Sequence, residues 1–181
     1  LIASGVNVNI VDEDGKALLV HAMHNGDKEI IELLLDNGAD PNTKTPTGVP
    51  VLFTPCQTGD NSLVTKLINK GAVVNLLSDQ KVSSLIMAVN YNNKEVVNTL
   101  ISYGANINYQ TANGTSPLMC AAINGHAEIA KILADNDANF ELINKKNETA
   151  LELAISEKKT LEICKEPHSN YNKIIQLLNV L

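Results

Sequence analysis

The stretch that decides the fold is residues 111–143, which read TANGTSPLMCAAINGHAEIAKILADNDANFELI. Its glycines belong to series that repeat every 33 residues along the chain. Three such series are Gly5, Gly38, Gly71, Gly104 and Asp137; Gly15, Gly48, Lys81, Gly114 and Asn147; and Gly26, Gly59, Asn92 and Gly125. A fourth series with the same period consists of Asn9, Asn42, Asn75 and Asn108. Two of the replacements are Asn, the residue that next best tolerates a left-handed backbone. The glycines are therefore predicted to be turns and helix stops, not phosphate-binding loops.

Apolar residues follow the same period. Leucine recurs at one position and a small residue three positions later, with Pro55 as the exception; the two series are Leu19, Leu52, Leu85, Leu118 and Leu151, and Ala22, Ala88, Ala121 and Ala154. Paired apolar residues such as Val96-Val97 stand three residues before a leucine, which is the stripe of an amphipathic helix. Each unit is predicted to be a short helix, a tight turn, a longer helix and an extended turn. A unit this small buries its faces only by stacking on its neighbours.

The residues Gly114-Thr115-Ser116-Pro117-Leu118, followed by Ala121-Ala122 and Gly125-His126, resemble the ankyrin repeat consensus. So does Leu34-Leu35-Asp36-Asn37-Gly38-Ala39-Asp40-Pro41-Asn42. The chain departs from the consensus in lacking the His of the first helix and in keeping the helix-initiating Pro only at Pro117. The resemblance implies an all-α ankyrin-repeat solenoid of stacked helix-turn-helix units.

The period divides the chain, as a single domain, into five units preceded by a partial one. The partial repeat is 1–11, and the units are 12–44, 45–77, 78–110, 111–143 and 144–181. The last unit carries an insertion of about twelve residues around Leu161 to Asn172. Because both ends fall inside a repeat, we expect the sequence to be a segment of a longer protein.

Composition excludes several classes of function. The net charge is −6 and all 14 basic residues are Lys, which argues against nucleic-acid binding. No apolar run is long enough for a membrane span. Three Cys far apart give neither a disulfide framework nor a zinc cluster, and they suit a reducing compartment. We therefore expect a cytoplasmic location.

Candidate chemical residues favour structural interpretations. Cys120 near His126, and His21 facing Cys56, resemble a nucleophile and base, but both Cys occupy packed helix positions in this scheme. His21 and His24 have helical spacing but no third ligand, so a surface pair is favoured over a metal site. We predict no catalytic activity, no metal and no cofactor.

Family resemblance implies where binding occurs, because turn tips and the exposed side of the first helices form a concave recognition face in ankyrin domains. The tip positions in this chain are Glu13, Asp14, Lys16, Val49, Asp79, Gln80, Val82, Asn113 and Thr115, and the helix positions are His24, Asn25, Gln57, Thr58, Asn90, Tyr91, Ile123 and Asn124. Tyr91 and Ile123 suit the centre of an interface, with Val49 and Val82 as added apolar surface.

The interpretation we favour is a monomeric, non-catalytic module that binds a partner protein through this face. One alternative is the targeting or regulatory arm of a larger enzyme, including a secreted bacterial effector acting in the host cytosol; another is a structural spacer. Residues 1–44 hold 3 Lys and 8 acids. This acidic end is either a solvated tip or a docking point for a basic element of the partner.

Local stability is predicted to differ between units. Pro55 should bend the first helix of the second unit by removing a backbone hydrogen bond. The fourth unit keeps Gly114, Pro117 and Gly125 together and should be the most stable.

Overall fold

A computed structural model of the protein describes residues 7–164 and 167–180, and these residues form ten helices in five consecutive pairs. The first helices of the pairs are α1 (Leu18–Asn25), α3 (Phe53–Thr58), α5 (Ser84–Asn90), α7 (Pro117–Ile123) and α9 (Ala150–Cys164). The second helices are α2 (Lys28–Asp36), α4 (Asn61–Asn69), α6 (Lys94–Ser102), α8 (Ala127–Asp135) and α10 (Ser169–Val180). Gly5 and most of the predicted partial repeat 1–11 lie outside the described residues. The predicted stacking of helix pairs is confirmed.

The predicted turn residues have left-handed backbones. Every Gly of the three series within the described residues has a positive φ. Four other residues share this conformation, and they are the ones that replace Gly in the 33-residue series: Lys81, Asn92, Asp137 and Asn147. Since this backbone costs L residues other than Gly conformational energy, the replacements mark positions where the turn is imposed by the surrounding fold.

The core is one continuous layer between the helix pairs. Leu19, Leu52, Leu85 and Leu118 are all buried, and the alanines three residues after Leu85 and Leu118 let neighbouring first helices approach closely. α3 packs on α5, α5 on α7 and α7 on α9, whereas α1 lies mainly against its own partner, α2. The stacking is therefore tighter from the second pair onward.

The conserved spacing of the Asn series has a structural cause. The Asn75 side chain donates from Nδ2 to the Gly104 carbonyl (2.9 Å) and accepts at Oδ1 from the Asn106 backbone N–H (2.8 Å). Asn9, Asn42 and Asn108 make the same two bonds to the residues 29 and 31 positions later. We call this feature the Asn ladder. It satisfies backbone groups in the extended turn and fixes the spacing between consecutive units.

A second ladder lies at the tight turns between the two helices of a pair. Asn93 donates to the carbonyls of Cys56 (2.8 Å) and Gln57 (2.9 Å), His126 contacts the Asn90 carbonyl (3.4 Å), and Tyr171 donates to the Ile123 carbonyl (2.7 Å). The three donors occupy equivalent positions once the insertion is allowed for. They will be called the turn donors. Each one joins its own helix pair to the end of the preceding first helix.

The predicted bend at Pro55 is wrong. The helix containing it begins at Phe53, two residues later than its counterparts, so Pro55 lies in the first helical turn. There the missing N–H has no partner to lose, because the first-turn N–H groups of a helix point out of its end. The irregularity is instead a tight turn at Pro50–Leu52, where the Phe53 N–H bonds the Pro50 carbonyl (3.0 Å).

The region of the insertion extends the last pair. α9 has 15 residues, while the other first helices have six to eight. Residues 165 and 166 of the predicted insertion lie outside the described part of the chain. The Tyr171 ring, near the end of the predicted insertion, lies against Gly125, where a Cβ atom would come within 2.8 Å of the ring. The longer connection thus places an aromatic turn donor where the preceding unit has His126.

Candidate partner-binding surface

The ends of the first helices form a row of exposed polar side chains. His24, Asn25, Gln57, Thr58, Asn90, Tyr91 and Asn124 are all exposed, and Ile123 is half-buried. Two contacts run across the boundaries between units: Gln57 Nε2 donates to the Tyr91 hydroxyl (2.8 Å), and Asn124 Nδ2 donates to Asn90 Oδ1 (3.3 Å). The structure therefore brings together these predicted residues of the second, third and fourth units. We call the eight residues His24, Asn25, Gln57, Thr58, Asn90, Tyr91, Ile123 and Asn124 the helix-end row.

Tyr91 is the largest exposed side chain of this row. It is the C-terminal cap of α5, directly before the left-handed Asn92, and half of its surface is accessible (50%). The hydrogen bond to Gln57 holds the ring in place. An exposed aromatic with a fixed orientation loses little side-chain entropy when a partner covers it, which is the property of a good interface anchor.

The hairpin tips are built by a repeated side-chain contact. The residue at the start of each tip accepts the backbone N–H four residues later, as Thr45 does from Val49 (3.1 Å) and Thr111 from Thr115 (3.2 Å). Glu13, Asp14, Asp79, Gln80 and Asn113 are exposed at the tips, whereas Lys16, Val49, Val82 and Thr115 are half-buried. Val82 packs against the core. The expectation that Val49 and Val82 provide exposed apolar surface is therefore only partly met.

Two predicted tip residues have contacts that the sequence did not reveal. The Asp79 carboxylate pairs with Lys44 Nζ (2.9 Å), and its backbone N–H donates to the Gly48 carbonyl (3.0 Å). Gln80 Nε2 lies 3.5 Å from the Thr47 carbonyl. These residues join the third tip to the second one. These residues therefore form a surface in which two neighbouring tips are held together by non-covalent bonds.

The acidic first tip is organised by Asp12, a residue that sequence reasoning did not single out as a binding residue. Its carboxylate accepts from the backbone N–H groups of Asp14 (3.0 Å) and Lys16 (2.9 Å) and pairs with His21 Nε2 (2.6 Å). These bonds lower the pKa of Asp12 below its ordinary value, and the bond from the Lys16 backbone N–H contributes most. Glu13 and Asp14 are left exposed on a tip with a fixed backbone. The signal in the sequence was the Asp at the position where other units have Thr, Ser or Asn.

The sulfur and imidazole groups are not arranged for nucleophilic chemistry. Burial raises the pKa of the Cys56 thiol to about 12 and that of Cys120 to about 11, which is the opposite of thiolate activation. His21 is paired with Asp12, and His126 contacts the Asn90 carbonyl. Within residues 7–164 and 167–180, no three His, Cys, Asp or Glu side chains come together as metal ligands.

In the described part of the chain, the helices are all too short or too polar to cross a membrane.

Stacked helix pairs, left-handed turn glycines and hairpin tips at a 33-residue period define a helical repeat protein. A family model described as ankyrin repeats, in three copies, matches residues 1–78 and 85–173. The chain belongs to the ankyrin repeat family. Ankyrin repeats generally mediate protein–protein interaction, and the family is typically non-catalytic. No curated protein matches the chain.

Proposed function

We propose that this protein is a monomeric, non-catalytic module that binds a partner protein through the helix-end row and the hairpin tips. One observation carries the proposal. Tyr91 stands exposed near the middle of the row, oriented by Gln57, with polar side chains on both sides. An aromatic anchor surrounded by hydrogen-bonding groups is the usual composition of an interface centre.

The chain offers a matched control for this surface. Tyr103 is also an exposed tyrosine (43%) at the C-terminal cap of a helix, α6. Its hydroxyl contacts an amide side chain of the preceding unit, Asn69 Oδ1 (3.2 Å), much as Tyr91 contacts Gln57. Tyr103, however, lies at the end of a second helix. The two residues differ mainly in the side of the solenoid that they occupy.

The experiment compares partner capture by the unmodified chain, Tyr91→Ala and Tyr103→Ala. We expect Tyr91→Ala to weaken binding of the captured partner by about 2 kcal/mol and to leave the thermal unfolding midpoint nearly unchanged. Tyr103→Ala should retain binding. If Tyr103→Ala loses the partner and Tyr91→Ala keeps it, the binding surface lies on the second helices and this proposal is wrong.

A further inference from the structure

A cleft separates the first helix pair from the second. It is an open groove of about 800 Å³, lined by Met23, Ile31 and Pro55 as apolar walls and by His24, Asp60 and Asn61 as polar ones. A smaller cavity of about 300 Å³ shares Met23, His24 and Thr54 with it and reaches Gln57 of the helix-end row. We call the larger cavity the first-boundary cleft.

The cleft exists because the residues that close the later boundaries are different here. Pro55 stands where Ala22, Ala88 and Ala121 allow close helix approach, and α3 begins late. Asp60 stands at the position of the turn donors Asn93 and His126. An ionised carboxylate has no hydrogen to donate, so it cannot make the bond to the preceding first helix that those residues make.

The polar groups that line the cleft include several hydrogen-bond acceptors. His24 is equivalent to Gln57, Asn90 and Ile123, whose carbonyls receive the turn donors; within the described residues its carbonyl receives no such bond. Asn61 Oδ1 is buried and has no partner among the residues described. The Asp60 carboxylate is held by Lys28 Nζ at 2.6 Å, and Lys28 itself is largely exposed (67%). A ligand that donates hydrogen bonds would be complementary to the Asp60 carboxylate and the His24 carbonyl.

The surrounding charge favours a cation. Glu95 lines the cleft, and Glu29 and Glu32 lie close enough to raise the pKa of Lys28, although its bond to Asp60 contributes most. Lys28 is the only basic residue other than His24 among the lining residues. An arginine or lysine side chain has an apolar stem for Met23 and Pro55 and a cationic donor for the acidic end.

Building on the proposed function, we infer that the first-boundary cleft binds a basic side chain, arginine or lysine, from the partner protein. The partner segment lies on the helix-end row and inserts this side chain between the first two helix pairs. Its cationic group displaces Lys28 from Asp60, and Lys28 moves into solvent, where its side chain is already mostly exposed. Asp60 is the residue that determines this preference.

The variant Asp60→Asn tests the proposal without removing the helix cap. Asn caps helices as well as Asp does, and the Asp60 side chain caps α4 by accepting from the Leu63 N–H (3.1 Å). Asn also supplies the donor that Asn93 provides at the next boundary, so the variant should close the cleft and remain folded. Asp135→Asn is the charge-matched control, since Asp135 is an exposed residue of α8 far from the cleft in the sequence.

The probe is a short peptide selected by display of a randomised library on the unmodified chain, then synthesised with its basic residue replaced by neutral citrulline. We expect selected peptides to share an arginine or lysine, and citrulline to weaken binding by about tenfold or more. Asp60→Asn should weaken binding of the basic peptide to the level of the citrulline peptide, and Asp135→Asn should leave its binding unchanged. Fluorescence anisotropy measures each affinity.

Three outcomes overturn the inference. Selected peptides without a shared basic residue would do so, as would unchanged affinity in Asp60→Asn. Competition by free arginine as strongly as by the peptide would show a small-cation site instead of a protein-binding one. If Asp60→Asn has no effect but Tyr91→Ala still weakens binding of the peptide, only the cleft assignment fails. If neither variant changes peptide binding, the proposed function fails too.

Discussion

The boundary between the first two helix pairs differs from the later boundaries in how closely the pairs stack, although all of them follow the same 33-residue period. α5 and α7 have serine caps, Ser83 and Ser116, whose hydroxyls accept from backbone N–H groups at 3.2 Å. α1 and α3 have no side-chain cap. Turn donors bond across the later boundaries, and the first boundary has no such bond among the described residues. The difference teaches that the repeat period determines the fold, while a few positions decide how closely neighbouring units are joined.

Local opening should follow this difference. A first helix without a side-chain cap, beside an open cleft, has fewer interactions to break than a capped first helix packed between two others. We therefore expect backbone amides of α3 to exchange hydrogen faster than those of α7. Hydrogen–deuterium exchange measures both in one experiment, and equal protection of the two helices would contradict the comparison.

The largest expected effect is in α7, which packs between α5 and α9. Leu118 is buried (1% exposed) between stacked first helices, so Leu118→Ala should lower the free energy of unfolding by about 2–5 kcal/mol. Leu52→Ala, at the equivalent position beside the irregular turn, should cost less because that turn can relax into the space. Chemical denaturation measures both variants. A loss below about 1 kcal/mol for Leu118→Ala would mean that the repeat alignment is wrong.

The Asn ladder should contribute to stability at each boundary that it spans. Asn75→Ala removes a donor to the Gly104 carbonyl and an acceptor for the Asn106 N–H, and should cost about 1–3 kcal/mol. Asn75→Asp keeps the acceptor and should cost less. Asn98→Ala, an exposed position on α6, is the control. Urea denaturation of the three variants gives the values, and equal effects of Asn75→Ala and Asn98→Ala would dismiss the ladder as a stabilising feature.

Acid should weaken the first boundary. The bond to Lys28, with smaller contributions from Ser62 and the Leu63 N–H, lowers the pKa of Asp60 from 3.8 to about 2. A depressed pKa stabilises the folded state above pH 4, and this stabilisation is lost as the pH falls toward 2. The loss should be about 1–2 kcal/mol because Lys28 is exposed. Denaturation of the unmodified chain and of Asp60→Asn at pH 5 and 2.5 isolates the contribution of Asp60. Equal losses of unfolding free energy in the two proteins would contradict the prediction.

The smallest expected effect is at the tip of the third unit. Lys81 has a φ of 60° at a position where three other tips have Gly. Lys81→Gly should raise the free energy of unfolding by up to about 1 kcal/mol, since Gly adopts this backbone without steric cost. Lys146→Gly, at an exposed tip residue without a left-handed backbone, should give no gain. The pair can be compared by thermal unfolding, and destabilisation by Lys81→Gly would show that its side chain has an unrecognised role.

The sequence by itself was sufficient for the fold. The period of Gly and Leu positions predicted the helix pairs, the turns and the core, because these depend on backbone conformation and on apolar spacing, which are local properties. It also placed Tyr91 at an exposed helix end, since the residue before a left-handed turn follows from the same period. The Asn series was visible as a pattern, but its bonds were not, because its partners lie 29 and 31 residues away in the next unit.

Only the tertiary structure decided how the units meet. The error at Pro55 arose because sequence reasoning assumed the helix would start where its counterparts do; a start two residues later removes the conflict. The equivalence of Asn93, His126 and Tyr171 as donors depends on which carbonyl each side chain faces across a boundary. The first-boundary cleft follows from that geometry. Periodicity determines what each unit is, whereas contacts between units determine which boundary stays open.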